Sequence, residues 1–249
     1  MSKELIIKNH RLSSDKVKVC IPVLASTFES AIELVEKCVK NGVPIIELRA
    51  DYFDFLNQKD VLEAFLQKTA ERTKNTVVLF TIRTDVEGGE YSFDEDLYKD
   101  ILLSVSHTGT VDIIDIEATH IQNATHFINQ LQDNGVYVLA SHHNFNETPE
   151  LLDMLDIFDS LQETGADILK IAVMPKDFDD VIRTLKAANI ANEDCDSLII
   201  MISMGEIGKV SRIIGSSVGS CMTFASLEKA SAPGQLDYED LNTILNILG

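Results

Sequence analysis

Eight apolar, β-branched runs recur along the chain at intervals of roughly 30 residues. They are KVCIPVLA from Lys18, IIELRADY from Ile45, VVLFTIR from Val77, VDIIDIEA from Val111, YVLASHHN from Tyr137, ILKIAVM from Ile168, LIIMISM from Leu198 and SCMTFAS from Ser220. Between them the period changes. Ala31, Ile32, Leu34, Val35, Cys38 and Val39 form one apolar helical face, which Asn41-Gly42 ends. Leu62, Phe65 and Leu66 repeat that pattern, as do Leu97, Ile101 and Leu102, then Phe127, Ile128 and Leu131 before Asn134-Gly135. Thr148-Pro149 reads as a helix start with Pro149 in the first turn. A last helix begins near Tyr238 and carries Leu241, Ile244, Leu245 and Leu248. Strict β-then-α alternation predicts a parallel sheet, and eight units in ~250 residues predict closure into a (β/α)8 barrel.

The architecture expected is therefore an α/β TIM barrel in which residues 1–249 form one catalytic domain. The segment LIIKNHRLSSDKVKV before the first barrel strand reads as a hairpin that plugs the N-terminal mouth. An open doubly wound sheet is the alternative. It carries a glycine-rich turn after its first strand, where this chain has Ser26, Thr27 and Phe28.

Within the runs, alternation separates two faces. Glu47, Arg49 and Asp51 oppose Ile46, Leu48 and Ala50; Thr81 and Arg83 oppose Phe80 and Ile82; Asp115 and Glu117 oppose Ile114 and Ile116. Ser141 and His143 oppose Ala140 and His142, and Lys170 opposes Leu169, Ile171 and Val173. Helices cover the outside of a barrel, so the polar face points inward, near the C-terminal strand ends where barrel active sites lie. Any one of these groups is well explained as a barrel-end ion pair or a snorkelling side chain. Together they bring charges from five consecutive strands into one small volume, at several kcal/mol each unless well paired.

Composition narrows the function. The 249 residues are 45% hydrophobic and 24% charged, an ordinary globular balance. A formal net charge of −19 disfavours nucleic acid, which requires clustered cations. It also means that an anionic ligand needs local arginines. Four cysteines form no CxxC pair and no ligand cluster, which predicts no metal site and a reducing, cytoplasmic setting. MSKELIIKNHRL carries no long apolar segment, so it is not read as a secretory signal, and no run approaches the ~18 residues of a membrane span. GEIGKVS from Gly205 lacks the first glycine of a phosphate-binding P-loop, because Ser203 stands there. GSSVGS from Gly215 reads equally as a phosphate loop or a turn, and TDVEGGEYSFDED from Thr84 equally as a mobile flap or a solvated loop.

The chemistry centres on Lys170. Desolvation lowers a lysine pKa and exposes the neutral amine, which condenses with a ketone to an iminium. A nearby imidazole such as His143 moves protons, and a carboxylate orients it. The residues predict a Schiff-base barrel enzyme acting on a small oxo compound; pyridoxal phosphate on the lysine is the alternative, with only GSSVGS as a cradle.

The segments ELRADYFD, TIRTDVEGG, DIIDIEA, SHHNFNETP, ADILKIAVMP, SMGEIGKVSRIIG and SAPGQL occur in an order that resembles the type I 3-dehydroquinate dehydratases, nearly end to end. The resemblance implies a cofactor-free homodimeric barrel of the shikimate pathway that converts 3-dehydroquinate to 3-dehydroshikimate and water by syn elimination. By the same resemblance Lys170 is the Schiff-base lysine, His143 the general acid/base and Glu87 the carboxylate that orients it. Arg212 then pairs with the substrate carboxylate, while Glu47, Arg49 and Arg83 hold ring hydroxyls. Met204 forms an apolar wall, and Ser231 and Gln235 belong to a closing loop. Three positions depart from the family pattern: Ala225, expected to add a methyl near the mouth, His142 in place of an aromatic, and Asn144 in place of Asp. A Schiff-base aldolase and a non-catalytic anion-binding barrel are the competing readings.

Overall fold

All eight apolar runs become strands of one parallel sheet. The computed structural model describes residues 3–228 and 231–248. After an antiparallel hairpin (β1, Glu4–Ile7; β2, His10–Ser13) come β3 (Lys18–Val23), β4 (Ile45–Arg49), β5 (Val77–Thr81) and β6 (Ile113–Ile116). Then follow β7 (Tyr137–Asn144), β8 (Ile168–Val173), β9 (Leu198–Ser203) and β10 (Met222–Ser226). Each strand from β3 to β8 pairs with its successor, β10 pairs with β3, and a two-residue β11 (Leu236–Asp237) lies on the far side of β10. The remaining seam, between β9 and β10, is narrow. It closes through one bridge between Ile199 and Ser220, where the Cys221 N–H donates to the Ile199 carbonyl at 2.9 Å.

The helices are α1 (Phe28–Lys40), α2 (Lys59–Arg72), α3 (Glu95–Ser106), α4 (Ala124–Asp133), α5 (Leu151–Gln162), α6 (Phe178–Asp194), α7 (Lys209–Ile213) and α8 (Tyr238–Leu248). Alternation splits the core into two layers. Ile46, Leu48, Phe80, Ile82, Ile114, Ile116, Leu169 and Ile171 pack outward against the helices. Cys20, Ile45, Leu79, Ile113, Ile168, Ile200 and Met222 fill the barrel. The hairpin closes the barrel's N-terminal end as expected. Its Ile7 and Leu12 join the inner layer, and fully burying such a side chain is worth about 2 kcal/mol. Lys8 pins it further, with Nζ donating to the Thr73 and Thr76 carbonyls at 2.9 and 2.7 Å and lying 2.8 Å from Asp112.

Three local readings change. Helix α5 starts at Leu151, with Glu150 as N-cap, so Pro149 lies outside it. Arg183 donates to the Pro149 and Thr148 carbonyls at 3.0 and 3.3 Å and holds that segment ahead of the helix. GSSVGS is a turn, with a single 3-10 turn over Gly215–Val218. Ala225 is fully buried in the layer against the helices, so its methyl faces away from the mouth.

Candidate active site

A cavity of about 580 Å3, counting its open side, lies at the C-terminal mouth of the barrel. Lys170, His143, Glu47, Arg49, Arg83, Met204, Arg212, Ser231 and Gln235 all line it. Glu87, the tenth residue expected there, stands behind His143.

Lys170 sits in the middle of β8, in register with Ser141 of β7 and Ile200 of β9. Its residue is 5% exposed. The Nζ lies 4.4 Å from the centre of the Phe224 ring, and its nearest carboxylate oxygen, on Asp115, is 4.0 Å away, beyond hydrogen-bond distance. Burial lowers the lysine pKa; Glu47 and Asp115 pull it back up, while Arg83 lowers it further. Desolvation is thus the largest cause of the amine's shift, ahead of the nearby cation. Ala172, Ile202, Met204 and Phe224 supply the apolar wall.

His143 is held from behind. Its Nδ1 lies 2.8 Å from Glu87 Oε2. Burial drives the imidazole pKa well below its usual value, assisted by the positive charges of Arg83, Lys170 and Arg49. The ring is therefore neutral near pH 7. Donation from Nδ1 to a Glu87 carboxylate puts the proton on Nδ1 and leaves Nε2 with a free lone pair. Glu87 is itself buried, which raises its pKa to about 7 despite the nearby Arg83. Two further imidazoles approach its other oxygen: His120 Nε2 at 3.3 Å and His142 Nδ1 at 3.7 Å, neither well aligned as a hydrogen bond. Among the described residues no group of three or more His, Cys, Asp or Glu side chains is arranged to hold a metal ion.

The loop that carries Glu87 is folded tightly onto itself. The Asp85 N–H donates to the Tyr91 carbonyl at 2.8 Å and the Gly89 N–H to the Thr84 carbonyl at 2.7 Å. A Cβ on Gly89 would stand 2.0 Å from the Arg83 carbonyl oxygen, so only glycine fits. Glu117 anchors the base of the loop, accepting from the Thr84 N–H and from Arg83 Nη1, both at 2.8 Å.

The arginines divide into two kinds. Arg49 makes a two-point contact with Asp51 at 2.9 and 2.8 Å. Arg83 is held by Asp115 and Glu117 at 2.8 Å and by Ser141 at 3.0 Å. Arg49 and Arg83 converge on the cavity as the sequence predicts, but their charges are already neutralised by strand-end carboxylates. Arg212 differs. It is 1% exposed, donates to the Pro233 carbonyl at 3.1 Å, and among the described residues finds no acceptor for Nε and Nη1. Burial with no opposing charge lowers its pKa to about 10. A buried, unneutralised guanidinium costs several kcal/mol unless an anion meets it.

Short loops place these last groups. A Cβ on Gly208 would lie 2.3 Å from the carbonyl oxygens of Ser203 and Met204, which shows how tightly the chain turns into α7, the helix that carries Arg212. The Ser231–Gln235 segment closes on itself, with the Ser231 N–H donating to Gln235 Oε1 and Gln235 Nε2 to Ser231 Oγ, both at 2.8 Å. It docks on the turn through the Gly205 N–H, which donates to the Pro233 carbonyl at 3.1 Å.

Several contributors carry little signal in the sequence. Phe224 beside the lysine and His120 beside Glu87 had no distinguishing pattern. Alternation turns Asp115 and Glu117 inward but does not reveal them as fixed partners of Arg83. Of the unusual positions, Asn144 forms a turn, accepting from the Asn146 and Glu147 N–H groups at 2.9 and 3.1 Å.

A desolvated amine, a neutral imidazole held by a carboxylate and a buried guanidinium thus share one barrel mouth, an arrangement suited to Schiff-base chemistry. Residues 19–249 match the family model described as type I 3-dehydroquinase. The 3-dehydroquinate dehydratase of Alkaliphilus oremlandii is 36% identical over 100% of this chain and 98% of that protein. The dehydratase of Clostridioides difficile is 32% identical over 100% of this chain and 98% of its own length. Among solved structures, the 3-dehydroquinate dehydratase of Geobacillus kaustophilus superposes with a TM-score of 0.96 at 28% identity, covering 99% of this chain and 96% of that one. The type I enzyme of Clostridium difficile, solved with covalent modified comenic acid, gives a TM-score of 0.93 at 32% identity, covering 98% and 97%. The chain belongs to the type I 3-dehydroquinase family, a family of hydro-lyases.

Proposed function

We propose that the protein dehydrates 3-dehydroquinate to 3-dehydroshikimate in aromatic biosynthesis, with Lys170 as the covalent group. The observation that carries this assignment is the buried Lys170 amine sharing one cavity with a neutral His143 held by Glu87. The named relatives and the covalently modified Clostridium difficile enzyme support it.

The steps follow from the geometry. Neutral Lys170 attacks the ring ketone, and loss of water from the carbinolamine leaves an iminium. This cation forms where Glu47, Asp115 and the Phe224 face already stabilise positive charge. His143 Nε2 takes a proton from the carbon beside the iminium, and the electron pair enters the C–N system as an enamine. The enamine then expels the β-hydroxyl, which leaves as water with the proton returned by the same imidazole. Use of one imidazole for both transfers gives syn elimination. Hydrolysis of the conjugated iminium releases product and restores the amine. Lys170 is itself the electron sink, so the sequence of steps needs no external cofactor.

Arg212 is assigned to the substrate carboxylate, since it lines the cavity with Nε and Nη1 unmet by any acceptor among the described residues, and a charge-assisted contact to an anion would satisfy them. Glu47 is fixed by Thr81, whose hydroxyl donates to it at 2.9 Å, and with Arg49 and Arg83 faces the ring hydroxyls. Ser231 and Gln235 close the mouth, beside Met204. We assign the chain to one cytoplasmic catalytic domain that works as a homodimer. Among the described residues no helix is long and apolar enough to cross a membrane.

Turnover of 3-dehydroquinate, followed by the ultraviolet absorbance of the conjugated product, tests the proposal. A flat trace with folded protein refutes it, and turnover of pyruvate or a phosphosugar in its place indicates an aldolase. Arg212→Gln keeps the polarity but removes the charge. We expect KM to rise on the order of 100-fold with a smaller change in kcat. An unchanged KM would place the carboxylate elsewhere.

A further inference from the structure

We propose that His120 is a positioning residue of this site, acting through Glu87: it carries a proton in exchange with solvent, keeps Glu87 in the carboxylate form, and so fixes the tautomer of His143. The proposal rests on the assignment of His143 and Glu87 as base and orienting carboxylate.

Three imidazoles surround the Glu87 carboxylate, and they are not equivalent. His143 takes Oε2 at 2.8 Å and faces the cavity. His142 and His120 approach Oε1, at 3.7 and 3.3 Å. Of the three side chains, His120 is the most open, at 31% exposed against 23% and 8% for His142 and His143. It ends a 3-10 turn over Ala118–His120, directly after the strand end that carries Glu117, and its ring meets Phe93 edge-on with centroids 6.3 Å apart. A positive charge on His120 is therefore both solvated and next to the carboxylate.

The charges around this group point the same way. Arg83 Nη1 lies 3.4 Å from Glu87 Oε2 but is already shared with Glu117 and Ser141, while Nη2 is taken by Asp115. Asp115 and Glu117 raise the Glu87 pKa, as burial does. His142 is shifted toward the neutral form by burial and by the His120 charge. His120 is shifted the other way, because Glu87 and Glu117 favour its cation. The proton that Glu87 gives up thus goes to His120 Nε2. The electron pair stays on Oε1, and His120 exchanges protons with water on its exposed side.

The consequence is chemical rather than architectural. With Glu87 ionised, His143 must donate from Nδ1, and Nε2 is a base. With Glu87 protonated, its hydroxyl donates to Nδ1, the ring proton moves to Nε2, and the base is lost. His120 governs which of these forms predominates near neutral pH.

His120→Asn removes the titrating group. We expect the acidic limb of the kcat profile to move up by roughly one pH unit, with turnover about tenfold lower at pH 6 and within about twofold of the parent at pH 9. Added imidazole should restore part of the low-pH rate. A loss of the same size at every pH, or an unmoved limb, overturns the proposal. Should the variant fold poorly, 15N-detected histidine titrations of the unmodified chain and of Glu87→Gln decide instead. His120 should titrate above its ordinary 6.5 and return toward it in Glu87→Gln. The same midpoint in both rejects the pairing. Full turnover by His143→Gln would instead refute the dyad on which this rests, a result distinct from a flat His120 profile.

Discussion

Lys170→Ala should lose turnover on the order of 10⁴-fold or more, because among the described residues that line the cavity no other carries an amine. The substitution truncates one side chain in a barrel whose β7–β8–β9 ladder is made by backbone, so the fold is expected to persist. Borohydride reduction in the presence of substrate separates the roles. The parent chain should gain the mass of one reduced adduct on the peptide containing Lys170, and the alanine variant should gain none. Turnover at the parent rate by the variant, or an adduct on a different lysine, would refute the assignment. The environment explains why this lysine is selected. It lies among Ala172, Ile202, Met204 and Phe224, and its closest carboxylate oxygen is 4.0 Å away.

His143→Ala should reduce kcat by about 10²- to 10⁴-fold, the usual worth of a positioned acid/base. The signature lies in what survives. Lys170 keeps its amine, so the iminium still forms and borohydride still traps it, but more slowly. Loss of trapping together with turnover would mean that His143 acts only by shaping the lysine's pocket. The two variants thus divide covalent attack from proton transfer, which a single activity assay does not.

The parts of this site that could be read from sequence are those that β-strand alternation controls. Glu47, Thr81, Asp115, Ser141 and Lys170 are strand residues with fixed facing, so the period of two placed them inside the barrel before any coordinates. Arg83 and Glu117 lie one or two residues beyond their strands and kept the same facing. Residues on irregular segments carried no such signal. Arg212 sits on a five-residue helix behind a tight glycine turn, and His120 on a single 3-10 turn. Similarity to a family points to Arg212, whereas the place of His120 follows only from the folded chain. The helix α6 escaped the pattern for another reason: Thr184, Ala187, Ala188 and Ala191 form much of its buried face, and small residues blur the apolar stripe. The pairing of arginines was also hidden. Inward-facing arginines and carboxylates were apparent, but which guanidinium stays free depends on distances that alternation does not encode.

The narrow seam between β9 and β10 gives substrate a mechanical role. Lys170 belongs to the continuous run of strands that ends at β9, whereas Arg212 lies on the connection that crosses from β9 to β10. A molecule bonded to Nζ at one end and ion-paired with the guanidinium at the other is a strut across the barrel's least-paired joint. The occupied enzyme should therefore resist opening there more than the empty one, with amide exchange around Ile199 and Cys221 slowing when the covalent intermediate accumulates.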